Sequence, residues 1–355
     1  MGAMDKGNAS LNVIYIKDLQ TGTYATEDIY NYDASRLLIK GGTFLDNDKL
    51  IKLRNFNKGN EIVYTRHKQA DKPIDTRRQI LEEKTGYTAV KQEAVELLEE
   101  IAKKKVMESD NLLSISDDLT KRLDSANAAT ILSLINALAP VDEYLQRHCV
   151  NTGLLNGLMG KWLGLNKETI DRLVLIGLLH DCGKALLPPG ILNAPRKLTV
   201  TEYQIIKTHT IRSYELLTDF PNVVRYAARG HHEKMNGTGY PDHLLDMRIP
   251  IEARITAISD IYDAMVSQRA YKKPRSPFNV LSFLKELAGE ELDAGLVDLF
   301  IRFMPLELIG KKVMLSDGSI GVVRSFDIND IEFPTVEVNE RTIKTDAYLF
   351  CVSMF

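Results

Sequence analysis

Cysteine, tryptophan and histidine are all scarce in this sequence, at 3, 1 and 7 of 355 residues. Cys149, Cys182 and Cys351 make neither a paired framework nor a Cys-x-x-Cys spacing, which excludes a disulfide scaffold and fits a reducing cytoplasm. No apolar run approaches the roughly 20 residues needed to span a bilayer, so membrane insertion is not expected. The polar start from Met1 to Ser10 lacks the apolar core of a secretion signal. Met1-Gly2-Ala3-Met4 reads as a cloning remnant ahead of Met4, and Lys6 breaks the myristoylation pattern. A dominant charge is missing too: 45 Lys and Arg stand against 48 Asp and Glu, a formal charge of −3. That balance gives no general coat for DNA, RNA or anionic lipid, so a polyanionic ligand must be met by local positive charge.

What is present is ordinary globular material, 44% hydrophobic and 26% charged, long enough for two or three folding units. Residues 1–70 carry short β-rich runs, Leu11 to Ile16, Arg36 to Ile39 and Glu61 to Tyr64, punctuated by glycines, and read as a small β-containing accessory or sensory domain. Residues 71–126 read as a charged helical linker, with acid–base alternation from Glu93 to Lys105. Residues 127–304 are a succession of helical patterns almost without strand, and residues 305–355 are a short β-hairpin appendage. Its runs Lys312 to Leu315, Ile320 to Arg324 and Thr335 to Val338 are separated by Asp317-Gly318 and Asn329-Asp330. The expected fold class is α+β and multidomain, built on an all-α helical core.

Six of the seven histidines fall between His148 and His243. His148 shares a helical face with Tyr144, Thr152 and Leu155, and His180-Asp181 closes the apolar run Leu173 to Leu179, which reads as a buried helix. Thr199 and Glu202 form a Thr-x-x-Glu capping box for a helix on which His209 follows Ile205 and Ile206. Pro221 suits the first turn of another helix, where His231 lies on the face of Val224, Ala227 and Ala228, with His232 adjacent. Asp260 and Asp263 interrupt the apolar helix of Ile255, Ile258, Ile261 and Met265.

One inward histidine is ordinarily a hydrogen-bonded core residue. Five of them with two inward acids would make a costly cluster of unsatisfied groups, and metal supplies the missing charge. Imidazole plus carboxylate, without a thiolate run, suits iron, manganese, zinc or nickel. The ligands outnumber what one tetrahedral ion uses, so two divalent ions sharing a bridging carboxylate are expected, an arrangement suited to phosphoryl hydrolysis.

These residues resemble the HD-GYP domains, a branch of the HD hydrolases. His180-Asp181-Cys182-Gly183-Lys184 is similar to the HDxGK element, and Ile191-Leu192-Asn193 through Lys197-Leu198-Thr199 to the connecting region. His231-His232-Glu233 with Gly239-Tyr240-Pro241 is similar to the HHE and GYP elements, and Ser259-Asp260-Ile261-Tyr262-Asp263-Ala264 to the ADxxDA helix. About half the chain is covered. The resemblance implies cyclic di-GMP phosphodiesterase activity, giving pGpG and in some members GMP, through a metal-activated hydroxide. It implies that His148, His180, Asp181 and Asp260 serve one ion and that Asp181, His209, His231 and His232 serve the other, with iron the first candidate. Lys184 is the expected stabiliser or proton donor of the leaving oxygen, held by Asp263, while Asp181 is catalytic as the bridge. Arg269, Tyr271 and Lys272 resemble the phosphate-binding stretch, with Tyr240 lining the pocket.

The sequence departs from the family at three places. Tyr144 occupies the position where some members carry a third-metal glutamate, with Glu143 one place off the helical face, so two ions are expected rather than three. Asn151 stands where arginine is common, and Asn236 where aspartate is usual. Two alternatives remain open at this point: a cyclic di-GMP receptor or interaction module whose GYP loop docks on a GGDEF-type partner, and an HD hydrolase of another nucleotide. A homodimer is compatible with either.

Overall fold

The computed structural model describes residues 144–194, 196–267 and 275–354, together with 11–15, 19, 23–24, 28–30, 37–40, 43–45, 49–50, 53, 62–66, 96, 116–121 and 123. Two compact units result, Met1–Leu81 and Glu82–Phe355. The first contains β1 (Leu11–Tyr15), β2 (Thr23–Tyr24), β3 (Asp28–Tyr30), β4 (Leu37–Ile39), β5 (Phe44–Leu45) and β6 (Ile62–Arg66). Four strands form an antiparallel sheet in the order β1-β6-β3-β4, and β2 pairs with β5. Ile29, Ile39, Leu45, Leu50 and Leu53 are its buried core. Most of the expected linker lies outside the described residues; Glu96, 116–121 and Leu123 are helical.

The second unit begins, for the purposes of the site, with α1 (Tyr144–Trp162) and α2 (Lys167–Leu179). Asn166 caps α2 by accepting from the Thr169 amide at 2.9 Å. Every residue from Leu173 to Leu179 is buried, as an all-apolar run requires when no side of the helix meets water. The two helices approach closely at Gly153 and Gly177, where a Cβ on Gly177 would stand 2.5 Å from the Gly153 Cα and amide nitrogen. The His-Asp pair therefore leaves α2 at a fixed height against α1.

A 3-10 turn (Cys182–Leu186) follows, then α3 (Val200–Lys207), α4 (His209–Leu216), α5 (Asn222–Gly230) and α6 (Ile251–Val266). The Thr199 capping box is formed, with the Glu202 amide donating to Thr199 Oγ1 at 3.2 Å and the Thr199 amide to Glu202 Oε2 at 2.8 Å. His209 was expected on this same helix, but the helix breaks at Thr208. The Thr208 amide bonds the Ile205 carbonyl at 3.1 Å and its hydroxyl bonds the same oxygen at 2.7 Å, tightening the last turn so that His209 opens a new helix. His231 likewise caps α5 rather than extending it.

Helices α7 (Pro277–Leu287) and α8 (Ala294–Phe303) lead into β7 (Lys312–Leu315), β8 (Ile320–Ser325), β9 (Thr335–Val338), β10 (Arg341–Lys344) and β11 (Cys351–Met354), an antiparallel sheet in the order β10-β9-β8-β7-β11. β10 and β11 carry no alternating pattern of their own because they are the edges of this sheet. The β9–β10 turn is made by Asn339 and Glu340, both at positive φ (48° and 63°), as tight hairpins require. Asn329-Asp330, read from the sequence as a hairpin turn, instead belongs to a 3-10 turn (Ile328–Asp330). Nor is the sheet a satellite: Val313, Leu315, Val323, Val336 and Cys351 are buried in the same core as Leu173, Ile258 and Phe300. Among the described residues no helix is long and apolar enough to cross a membrane.

Replacing Gly177 with alanine should force α1 and α2 apart and cost about 2–3 kcal/mol, the range for overpacking a rigid backbone contact. Urea denaturation followed by far-UV circular dichroism checks this; an unchanged midpoint would mean the helices slide at no cost.

Candidate metal centre

Three imidazoles are aimed by the helical turn that precedes each of them. His180 Nδ1 donates to the Gly177 carbonyl at 2.6 Å, His209 Nδ1 to Ile206 at 2.7 Å and His231 Nδ1 to Ala228 at 2.8 Å, each three residues upstream. With the proton committed to Nδ1, each ring presents a bare Nε2 lone pair to the interior. All three Nε2 atoms converge on Asp181, a residue 1% exposed. His209 and His231 lie 3.1 and 3.7 Å from Oδ1, and His180 and His148 lie 3.4 and 3.7 Å from Oδ2. The Nε2 atoms of His180, His209 and His231 and the Oδ1 of Asp181 are buried with no hydrogen-bond partner. Acceptor thus faces acceptor in a dry interior, an arrangement that only a cation can make favourable.

Two sets of ligand atoms lie within mutual reach of 4.8 Å: Asp181, His209, His231 and His232 in one, and His148, His180 and Asp181 in the other. Asp260 reaches the second set through His148, its Oδ1 3.0 Å from Nε2, while its Oδ2 lies 3.9 Å from His232 Nδ1. The donor chemistry fits divalent ions of the imidazole–carboxylate kind.

Asp263 was expected beside Lys184. It sits instead behind His148, its Oδ2 2.7 Å from Nδ1, and its Oδ1 accepts from Asn151 Nδ2 at 2.7 Å and from the Ser267 hydroxyl at 2.9 Å. The reason is placement: Asp263 lies on the buried face of α6 that packs against α1, whereas Lys184 in the 3-10 turn pairs with Asp181 itself. Burial opposes a charge on Lys184, but the carboxylates of Asp181 and Asp260 hold its pKa above the usual lysine value. Burial also raises Asp181, yet nearby positive charge, that of Lys184 first, outweighs it and keeps that carboxyl ionised well below its ordinary range.

Gly183 explains the closeness of α4. A Cβ there would overlap the His209 carbonyl oxygen and lie 2.5 Å from the Ser213 amide. The Ser213 hydroxyl accepts from the Gly183 amide at 2.9 Å and donates to the His180 carbonyl at 3.0 Å, tying α4 to the His-Asp turn.

Outside the ligands, Tyr240 stacks on His232 with ring centroids 4.8 Å apart and 28° between planes. Glu233 is buried and its carboxylate accepts from the Asp242 and Leu244 amides at 2.6 and 3.0 Å, while Arg229 grips Asp242 through two bonds of 2.5 and 2.6 Å. Asn236 Oδ1 accepts from the Thr238 amide and hydroxyl at 3.1 and 2.6 Å, doing as an amide what an aspartate would do in this turn. Arg269, Tyr271, Lys272 and Glu143 lie outside the described residues.

Residues 123–296 match the family described as HD domain. The cyclic di-GMP phosphodiesterase response regulator RpfG of Xanthomonas campestris pv. campestris is 38% identical over 150 residues, 41% of this chain and 40% of that protein. A cyclic di-GMP phosphodiesterase of Pseudomonas aeruginosa is 33% identical over 211 residues, 59% of this chain and 50% of the relative. The matched segment, just under half of the chain, is similar to the HD domains of cyclic di-GMP phosphodiesterases. The chain spans half or less of the length of these curated relatives. A solved HDG"Y"P protein from Bdellovibrio bacteriovorus shares the fold, with a TM-score of 0.50 at 16% identity over 82% of this chain and 98% of that one.

Three supporting residues of this centre escape a motif reading: Asn151, Ser213 and Ser267. Asn151 was legible only as a departure from the family pattern, although it lies one turn after His148 and hence on the same face of α1. Ser213 carries a long-range bond that no local spacing encodes.

Two expectations follow. Asp263→Asn should lower divalent-ion affinity about 10–100-fold, the usual cost of losing a carboxylate behind a ligating histidine; metal-competition titration measures it, and equal affinity would show that Asp263 merely packs. The second concerns protons. Burial opposes a charge on His148, but hydrogen bonds to Asp260 and Asp263 more than offset it and raise its pKa from 6.5 to about 9. Metal-free protein therefore keeps this proton at neutral pH, and ligation must expel it. Metal affinity should rise as pH climbs towards 9, with proton release at pH 7 read from titration heats in two buffers of different ionisation enthalpy; buffer-independent heats would refute it.

Proposed function

We propose that this HD-GYP centre is a two-metal phosphodiesterase that opens cyclic di-GMP to pGpG, with GMP as a further product. The observation that carries the reading is the division of Asp181: one carboxylate oxygen faces His209 and His231, the other His148 and His180. A carboxylate split in this way would let one residue serve both of a pair of divalent ions. His148, His180, Asp181 and Asp260 would hold one ion, and Asp181, His209, His231 and His232 the other. Iron is the first candidate, and manganese, zinc and nickel accept the same donors. Divalent ions, when bound, supply Lewis acidity and neutralise charge on phosphoryl oxygens.

The chain's own residues would do the rest. Lys184, cationic beside Asp181, is placed to stabilise the leaving 3′ oxygen, and its raised pKa favours electrostatic help over proton donation. Asp263 orients His148 and is assigned a positioning role. Arg269 and Lys272, with Tyr271 between them, would supply the local positive charge that a net charge of −3 does not. Tyr240, fixed on His232, lines the pocket. The two relatives named for cyclic di-GMP support that substrate.

The test is turnover of cyclic di-GMP by anaerobically purified, metal-quantified protein beside Asp181→Ala, with nucleotides separated by chromatography. About two ions per chain and linear pGpG are expected, both lost in the variant. Metal-loaded protein that binds cyclic di-GMP without forming product would make it a receptor instead.

A further inference from the structure

Next to the metal centre, α3 carries Tyr203 and Lys207 one turn apart on a single face. The Lys207 ammonium lies 5.1 Å from the Tyr203 ring centroid and 5.0 Å from that of Tyr240, the ring already stacked on His232. Among the described residues no carboxylate pairs with Lys207. Tyr203 is 48% exposed. From the ligand His232 outward the order is therefore ring, ammonium, ring, with the outermost face half open.

Cation–π packing alone would hold this trio together. It does not explain why a donor-only group without a carboxylate partner stands beside a ring stacked on a candidate ligand. An open tyrosine face accepts a flat π-system. An ammonium beside it adds donors and no acceptor. The complement is a planar base with two adjacent acceptors on one edge, which describes N7 and O6 of guanine. Adenine offers N7 but sets its N6 amine, a donor, against the ammonium. Phosphate is the less suitable occupant here, since the metal ligands and Lys184 already converge at the other end of the row.

We propose that Tyr203 and Lys207 are the base-reading wall of this centre, Tyr203 stacking a purine and Lys207 donating to the guanine O6/N7 edge, so that they set preference for guanine over adenine in the substrate. The inference rests on the phosphodiesterase reading for the class of ligand that enters, and adds which residues choose the base.

The experiment compares metal-loaded wild type with Lys207→Met, Lys207→Arg, Tyr203→Leu and Tyr203→Trp. Two quantities are read: the ratio of kcat/KM for cyclic di-GMP to that for cyclic di-AMP, and the calorimetric affinities for GMP and AMP, which require no turnover. Lys207→Met should reduce the guanine preference about tenfold in both readouts, and Lys207→Arg should restore it, because arginine also pairs with O6 and N7. Tyr203→Leu should weaken binding of both bases about tenfold without changing their ratio, with Tyr203→Trp restoring it, since stacking is tolerant of base identity. Equal weakening of guanine and adenine ligands by Lys207→Met would assign the ammonium to phosphate and overturn the proposal. Unchanged values in Lys207→Met and Tyr203→Leu would reduce the trio to surface packing and overturn it as well. In either case a wild type that still cleaves cyclic di-GMP leaves the phosphodiesterase reading standing. A wild type that neither cleaves nor binds these nucleotides would remove both.

Discussion

Around Asp181 the interior sets lone pair against lone pair. Three imidazoles donate the Nδ1 proton to the backbone carbonyl three residues upstream, and their remaining nitrogens point at a carboxylate that is itself held ionised. Burial strengthens that repulsion, because a low-dielectric interior screens charge poorly. The protein carries this unfavourable arrangement because the packing around it is rigid: Gly153 and Gly177 fix α1 against α2, and Gly183 fixes α4 against the His-Asp turn. Without those approaches the rings would rotate away or recruit water, and the cluster would relax into ordinary hydrogen-bonded polar residues.

His148 is the exception, and it shows how the two halves of the centre differ. Its orienting partner is a carboxylate instead of a backbone carbonyl, and a second carboxylate, Asp260, faces its other nitrogen. In the absence of an ion it is a doubly donating cation. By contrast, burial and the neighbouring imidazoles push His231 well below the ordinary histidine value, and burial first among its causes takes His232 down to about 3. On the two-ion reading, the half holding His148 would exchange a proton for an ion, and His231 and His232 would ligate without that exchange.

Much of this was legible in the sequence because its causes are local. The apolar run ending at His180, the capping box at Thr199 and the face shared by Val224, Ala227, Ala228 and His231 all follow from helical periodicity. What escaped depended on contacts between distant segments. The break at Thr208 is decided by one hydroxyl choosing the Ile205 carbonyl, and Asp263 turns to His148 because α6 meets α1, which no spacing within α6 reveals. The edge strands β10 and β11 were missed for a third reason: an edge buries only part of one face, and its sequence need not alternate.

The sheet formed by β7 to β11 shares one hydrophobic core with the helices that hold the ligands. Had it been a tethered module, the boundary near Pro305 would be a point of mechanical independence. Instead, Phe300, Met304 and Leu308 carry the core continuously across it. Thermodynamic linkage then extends to the far edge of the sheet: free energy released when ions bind to the native helices is available against local opening of strands that touch no ligand. The C-terminal strands would then belong to the cooperative unit of a metal-loaded centre, and their fraying would report the state of a site they do not reach.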